Sequence, residues 1–329
     1  MRPLRGAGLA AALALSLAAA GARAAVDARD LERCARIDAP DERLACYDAA
    51  VPRPAPGETP PAGAAERSPI DERWAIGVSG TLFDILPHKP TYLLVVHHSS
   101  DLNAEPSSPT HGPPAPMDLR ASEAMYQISA KFRVVDMQQS IGASLWAGYT
   151  QLSEWQVYNP SVSRPFRETD YEPELMLAFH PDRNVLGMRW RLLNFGLVHQ
   201  SNGQSDPLSR SWNRAYVQFG LERDRFELLL RPWWRIPENR ANDDNPDIVD
   251  YMGYGDVVAS YHVGRQTLSM LGRYNPRTGK GALEGSWSFP VWRRMRGYVR
   301  LFSGYGESLL DYNWRQTTFG FGMALTDWQ

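Results

Sequence analysis

The chain has 329 residues and a formal net charge of −2 with 22% charged residues, so no strongly basic surface marks a nucleic-acid partner. Mean hydropathy is −0.41, and no apolar run after Ala25 reaches the ~20 residues that a spanning helix needs. That excludes a helical membrane protein but not a membrane β-barrel, whose strands need only ~9–11 residues of alternating polarity.

Residues 1–24 read as a signal peptide: Arg2 and Arg5 are followed by an apolar run from Ala7 to Ala20 and by the small-x-small pattern Ala22-Arg23-Ala24. The run is too short for a membrane anchor, so export is expected. Residues 25–50 read as two short helices joined around Pro40, carrying the two cysteines, Cys34 and Cys46. In an exported chain these are expected to pair as a disulfide. Two sulfur ligands without further Cys or a nearby His do not make a zinc site. Residues 51–73 begin V-P-R-P-A-P-G-E-T-P-P, a semi-rigid linker in which proline fixes φ and removes donors. The remaining domain is expected over 74–329.

From there the pattern has period two. Ile128, Ala130, Phe132 and Val134 alternate with Gln127, Ser129, Lys131 and Arg133. Similar alternation recurs around Phe226, Leu228 and Leu230, around Leu283, Trp287 and Phe289, and through Phe319, Phe321, Met323 and Leu325. Strands are expected near 92–98, 125–134, 142–155, 173–179, 185–200, 210–221, 225–235, 251–263, 265–274, 281–289, 295–303 and 316–327. Short connections (180–184, 222–225, 264–265) alternate with long ones (99–124, 156–171, 242–247), as in outer-membrane barrels. Trp146, Trp155, Trp233, Trp234, Trp292, Trp314 and Trp328 cluster near strand ends, where aromatic girdles belong. A soluble sandwich shares the alternation; the turn lengths favour an all-β, 12-stranded antiparallel transmembrane barrel with a short N-terminal periplasmic extension. An even strand number puts both barrel ends on the periplasmic side.

The segment H-Q-S-N-G-Q-S-D-P-L-S-R-S-W-N-R, 199–214, carries the chemistry. Leu193, Phe195 and Leu197 share a face that continues to His199 and Ser201. Across the turn, Ala215, Val217 and Phe219 share a face that continues to Asn213. All three polar groups thus fall on the lipid-facing side of adjacent strands. A hydroxyl becomes a useful nucleophile when an imidazole takes its proton and a third group orients that ring. Asn213 can orient it without the desolvation cost of a charge against hydrocarbon. Gly203 frees an N–H for a developing oxyanion, and Asp206 and Ser209 offer hard oxygen ligands of the type calcium selects. By itself H-x-S is common, and S-N-G and S-D-P are ordinary hairpin-tip sequences. A non-enzymatic barrel, a small pore or an adhesin-like protein, is the rival reading, and the conjunction on one lipid-facing side separates the two.

Several further motifs accompany this segment: Y-T-Q-L-S (149–153), P-F-R-E-T-D-Y-E-P (165–173), D-D-N-P-D-I (243–248), Y-M-G-Y (251–254) and S-G-Y-G-E-S-L-L-D-Y-N (303–313). With them the chain, from about Trp74 onward, resembles the outer membrane phospholipase A family. The resemblance implies a bacterial outer-membrane enzyme whose site faces the outer leaflet and which hydrolyses acyl esters of phospholipids and lysophospholipids. It implies Ser201 as nucleophile, His199 as base, Asn213 as the group orienting it, and Gly203 as oxyanion donor. It further implies a reversible homodimer with a calcium ion held between barrels by the Gln204 carbonyl and Ser209 of one copy and the Ser163 carbonyl of the other. Asp206 would belong to a second, weaker calcium position, and Gln151 matches a polar residue at the dimer seam. The chain departs from the pattern in residues 25–73 and in ending Trp328-Gln329 instead of on an aromatic residue.

Overall fold

The computed structural model describes residues 28–50, 68–76, 82–162, 165–239 and 242–328. The signal-peptide stretch, residues 51–67 of the linker and Ser163 lie outside the described residues. Contacts divide the chain into two units, one ending at Glu66 and one running from Arg67 to Gln329.

In the first unit, α1 (Ala28–Ala35) and α2 (Pro40–Ala50) are the two expected helices. Pro40 opens α2, where its missing N–H is no loss, and Asp41 and Glu42 stand at the positive end of the helix dipole. A disulfide joins Cys34 to Cys46.

The second unit is a closed antiparallel barrel of twelve long strands. They are β1 (Thr91–Ser99), β2 (Ser122–Met137), β3 (Ala143–Trp155), β4 (Phe166–Phe179), β5 (Met188–Ser201) and β6 (Ser211–Arg223). The second half comprises β7 (Phe226–Ile236), β8 (Gly255–Val263), β9 (Gln266–Asn275), β10 (Lys280–Trp292), β11 (Met295–Tyr305) and β12 (Arg315–Thr326). Each pairs with its neighbour in sequence, and β12 closes onto β1 through pairs such as Thr318 with Ser99. Closure leaves no unpaired edge to meet hydrocarbon, which is what makes such a wall viable in a membrane.

The alternation resolves as expected. On β2, Ile128 is 51% exposed on the outer wall, whereas Ser129, Lys131 and Arg133 are buried inside. The lumen holds an ion-pair network beside its apolar clusters. Arg167 pairs with Glu123 (3.2 Å), Asp311 (2.9 Å) and Glu154, and Arg300 with Glu284 (2.8 Å) and Glu307. The segment between β11 and β12 turns inward. There Leu309 N–H donates to Asp170 Oδ2 (2.9 Å) and Leu310 N–H to Glu168 Oε1 (2.7 Å). A lumen so filled does not suit the rival reading as a pore.

Two short strands, Ile85–Pro87 and Arg183–Val185, and the helix Gln138–Ile141 are not among those expected, and three further elements differ from the sequence reading. Residues assigned to the end of the linker instead form α3 (Pro69–Arg73), capped by Ser68 Oγ, which accepts from Asp71 N–H at 3.1 Å. Ile70 and Trp74 are buried with Trp146, Met176 and Leu192, and Lys131 Nζ lies 3.4 Å from the Trp74 ring centroid. Five residues are too few to show a helical period, and Pro69 reads as more linker. Strand β4 begins at Phe166, not near 173, because Arg167, Glu168 and Asp170 face the lumen network and so look like a polar loop in sequence. Strand β8 begins at Gly255, after a short helix, Ile248–Met252, whose buried Ile248 and Met252 imitate strand residues.

Candidate active site

The site is built on β5, β6 and the loop 202–210 between them. Phe195 and Leu197 are 45% and 56% exposed while Val198 is 5% exposed, so odd-numbered positions of β5 face outward. The same parity carries His199 and Ser201 to the outer wall. In the ladder His199 stands directly opposite Asn213, and Ser201 opposite Ser211. Directly opposed residues on one face have Cβ atoms ~4.5–5.5 Å apart, close enough for side chains to bond.

They do so. His199 Nδ1 lies 2.9 Å from Asn213 Oδ1. An amide oxygen only accepts, so with Oδ1 toward the ring the proton of this bond belongs to Nδ1, which in the neutral imidazole leaves the lone pair on Nε2. Asn213 Nδ2 in turn donates to Glu238 Oε1 at 3.1 Å. Among the hydrogen bonds of the described residues, His199 bonds to Asn213 and not to Ser201.

Gly203 is glycine for two reasons. Its φ is +63°, and a Cβ there would lie 3.2 Å from Tyr171 Cε2. Loop geometry is set by the buried Asn202. Its Oδ1 accepts from Arg210 N–H (2.9 Å) and Gln204 N–H (3.3 Å), and its Nδ2 donates to the Leu208 carbonyl (2.8 Å). The fully buried Arg210 donates from Nη1 to the carbonyls of Pro207 (3.0 Å) and Ser209 (2.7 Å). Gly203, Gln204, Asp206 and Ser209 therefore ride on one braced loop.

Two other outer connections meet beside it. Ser209 Oγ donates to Asp244 Oδ2 at 2.7 Å, His111 Nε2 lies 3.1 Å from Asp206 Oδ1, and ligand atoms of His111, Asp206 and Asp244 lie within 4.8 Å of one another. The two carboxylates and the Ser209 hydroxyl are hard oxygen donors of the kind calcium takes, whereas the His111 nitrogen beside them is not. Gln204 is in the same loop, its side chain donating to the Arg167 carbonyl at 3.4 Å. Gln151 is half-buried on the outer face of β3, accepting from Tyr149 Oη (3.1 Å) and donating to Tyr126 Oη (3.2 Å).

Sequence reading missed Asn202, Glu238, His111 and Asp244 as members of this site. Asn202 had only the signal of a turn former. The other three lie in loops far away in sequence, with no periodicity to say where they return.

A closed membrane barrel bearing a histidine–asparagine pair and a serine on its hydrocarbon-facing wall defines a class: outer-membrane hydrolases that act on lipid. Comparison agrees. The Phospholipase A1 family matches residues 72–325. The chain is 41% identical over 245 residues to a phospholipase A1 of Salmonella typhimurium, covering 74% of this chain and 82% of that one. It is 42% identical over 253 residues to a putative phospholipase A1 of Neisseria meningitidis, covering 75% of this chain and spanning 66% of that relative's length. Outer membrane phospholipase A from Escherichia coli superposes with a TM-score of 0.69 at 39% identity, over 74% of this chain and 95% of that one. The Salmonella typhi outer membrane phospholipase, described as a dimer with bound calcium, gives 0.69 at 40% identity over 75% and 94%. The chain belongs to the phospholipase A1 family. It is an outer-membrane β-barrel and an ester hydrolase of that class.

Proposed function

We propose that this chain is a calcium-dependent serine phospholipase that hydrolyses acyl esters of phospholipids and lysophospholipids, activated by reversible dimerisation. The observation that carries the reading is the His199–Asn213 hydrogen bond on the outer wall, two residues along the strand from Ser201.

In the first half-reaction Ser201 Oγ attacks the ester carbonyl carbon while its proton passes to His199 Nε2. Asn213 Oδ1, already bonded to Nδ1–H, keeps that tautomer and aim and supports the imidazolium that forms. The Gly203 N–H donates to the oxyanion. The C–O bond then breaks, and His199 returns the proton to the leaving lysolipid alcohol. Water repeats the cycle on the acyl-enzyme: its proton goes to His199, its oxygen to the carbonyl carbon, and Ser201 is released as the fatty acid leaves. General-base help of this kind is worth about 10²–10⁴-fold, and one oxyanion donor about 10²–10³-fold.

The Gln204 carbonyl and the Ser209 hydroxyl, with the Ser163 carbonyl from a second copy, would hold the catalytic cation. Asp206 with Asp244 would hold a further one. Bound there, calcium supplies positive charge to the oxyanion. The Asp206 and Asp244 carboxylates beside His111, with Ser209 bonded to Asp244, support this reading, as does likeness to a relative described as a calcium-bound dimer. A ligand set divided between two copies makes the dimer the competent form, and the outer leaflet is the substrate surface that the outer-wall site faces.

The test is Ser201→Ala in calcium-containing mixed micelles of phospholipid and detergent. Ester hydrolysis should fall to background while the folded barrel persists in heat-modifiable electrophoretic mobility. Activity near that of the unsubstituted enzyme would refute the assignment.

A further inference from the structure

A primary amide is nearly symmetric in shape, and its two ends have opposite effects on a neighbouring histidine. With the oxygen toward Nδ1, the ring keeps its proton there and Nε2 is a base. With the NH₂ toward Nδ1, the proton moves to Nε2 and the base is lost. Asn213 alone does not decide between these orientations.

Glu238 does. Its Oε1 accepts from Asn213 Nδ2 at 3.1 Å, and a carboxylate oxygen cannot donate, so the NH₂ end is committed away from His199. The backbone explains the placement. Asn213 pairs in the ladder with Ile236, the last residue of β7. Pro237 has no N–H with which to continue the sheet, so the chain leaves it there and Glu238 arrives beside Asn213. The carboxylate stands in a connection, half-buried, where its desolvation costs less than on the hydrocarbon-facing strand itself. The neighbouring cation does not claim it: Arg235 is bonded to Asp243 (2.6 Å) and to the Pro246 carbonyl (2.9 Å).

We infer that Glu238 is a positioning residue for this hydrolase, fixing the orientation of the Asn213 amide, and through it the basic tautomer of His199. The inference rests on the catalytic reading above. It makes the constellation a four-membered relay, Ser201, His199, Asn213 and Glu238, in which the negative charge is one residue removed from the imidazole. A charge-assisted hydrogen bond to the NH₂ end also draws electron density toward Oδ1, strengthening its hold on Nδ1–H.

The experiment is steady-state kinetics of the full chain in calcium-containing phospholipid micelles, with Glu238→Ala, Glu238→Gln, Asn213→Asp and the double exchange Asn213→Asp/Glu238→Gln. Glu238→Ala should lower kcat about tenfold with KM within about twofold, the loss of a hydrogen bond to a charged group at a step where binding is unaffected. Glu238→Gln keeps an acceptor oxygen without its charge and should fall between Ala and the unsubstituted enzyme. Asn213→Asp sets two carboxylates against each other and should be slow. The double exchange reverses donor and acceptor, so that Gln donates to Asp and Asp accepts from His199; it should recover at least fivefold over Asn213→Asp.

A merely structural Glu238 would not produce that reciprocal recovery. An unchanged kcat in Glu238→Ala, or a double exchange no faster than Asn213→Asp, would overturn the inference and leave the triad standing. Retained activity in Ser201→Ala, run alongside, would overturn both.

Discussion

Gln151 and Ser201 stand in one cross-strand row of the barrel wall, joined through Tyr171: Gln151 pairs with Tyr171, and Tyr171 with Ser201. Two strand spacings separate them, about 10 Å, so a surface that covers Gln151 also covers the approach to the nucleophile. If Gln151 belongs to the seam between two copies, Gln151→Leu should lower the yield of chemically cross-linked dimer and lower activity several-fold at low enzyme density. Raising the density should restore the rate by mass action. Equal cross-linking and equal rates at every density would remove Gln151 from the seam.

Asn213→Ala should cost about tenfold in kcat, the worth of one neutral hydrogen bond of about 1 kcal/mol plus loss of tautomer control. His199→Ala should cost far more, because it removes the base itself. Rates measured side by side check the order, and an Asn213→Ala loss equal to that of His199→Ala would mean the amide does more than orient.

Gly203→Ala tests the oxyanion role. The residue must hold φ near +63°, which costs a non-glycine residue about 1–2 kcal/mol, and its Cβ must push against Tyr171. The expected result is a loss of about 10²-fold in kcat from a displaced N–H, with a barrel that still folds. Normal turnover would move the oxyanion donor elsewhere.

Much of this was legible in sequence because a β-strand has a rigid period of two. Once Leu193, Phe195 and Leu197 are assigned to the lipid side, His199 and Ser201 have no alternative face. The barrel, its closure and the pairing of His199 with Asn213 follow from that periodicity and from turn lengths. What the period could not give was the return of distant loops. Glu238, His111 and Asp244 reach the site across connections of irregular backbone, and α3 is too short to announce itself. The polar lumen misled in one place, where Arg167 and Glu168 looked like loop but are strand.

Ser209 and Asp244 supply the metal prediction. Ser209→Ala and Asp244→Asn each remove or weaken a hard oxygen near the loop. Each should raise the calcium concentration needed for half-maximal activity by about tenfold, roughly the worth of one charged ligand interaction of ~1.5 kcal/mol. A calcium titration of activity checks it, and an unshifted curve for both variants would argue against this cluster.

Acid stability should depend on His180, in the turn after β4. Burial, with Arg133 nearby, pushes its imidazole down from 6.5 to about 4. Between pH 6.5 and 4 the unfolded chain binds a proton that the folded one refuses, so stability is present above the unfolded value and falls as the pH drops through that window. The full effect is about 3 kcal/mol. Urea unfolding in micelles at pH 7 and pH 4.5 should show less acid sensitivity in His180→Asn; an identical loss would assign the effect to other groups.

The most direct measurement is covalent labelling with a long-chain sulfonyl fluoride, followed by peptide mapping and assay of residual hydrolysis. The expected result is modification of Ser201, faster with calcium than with chelator and slowed in Asn213→Ala, with activity falling in proportion to label. Label on any other residue accompanying inactivation, or full hydrolysis by a chain modified at Ser201, would contradict the account.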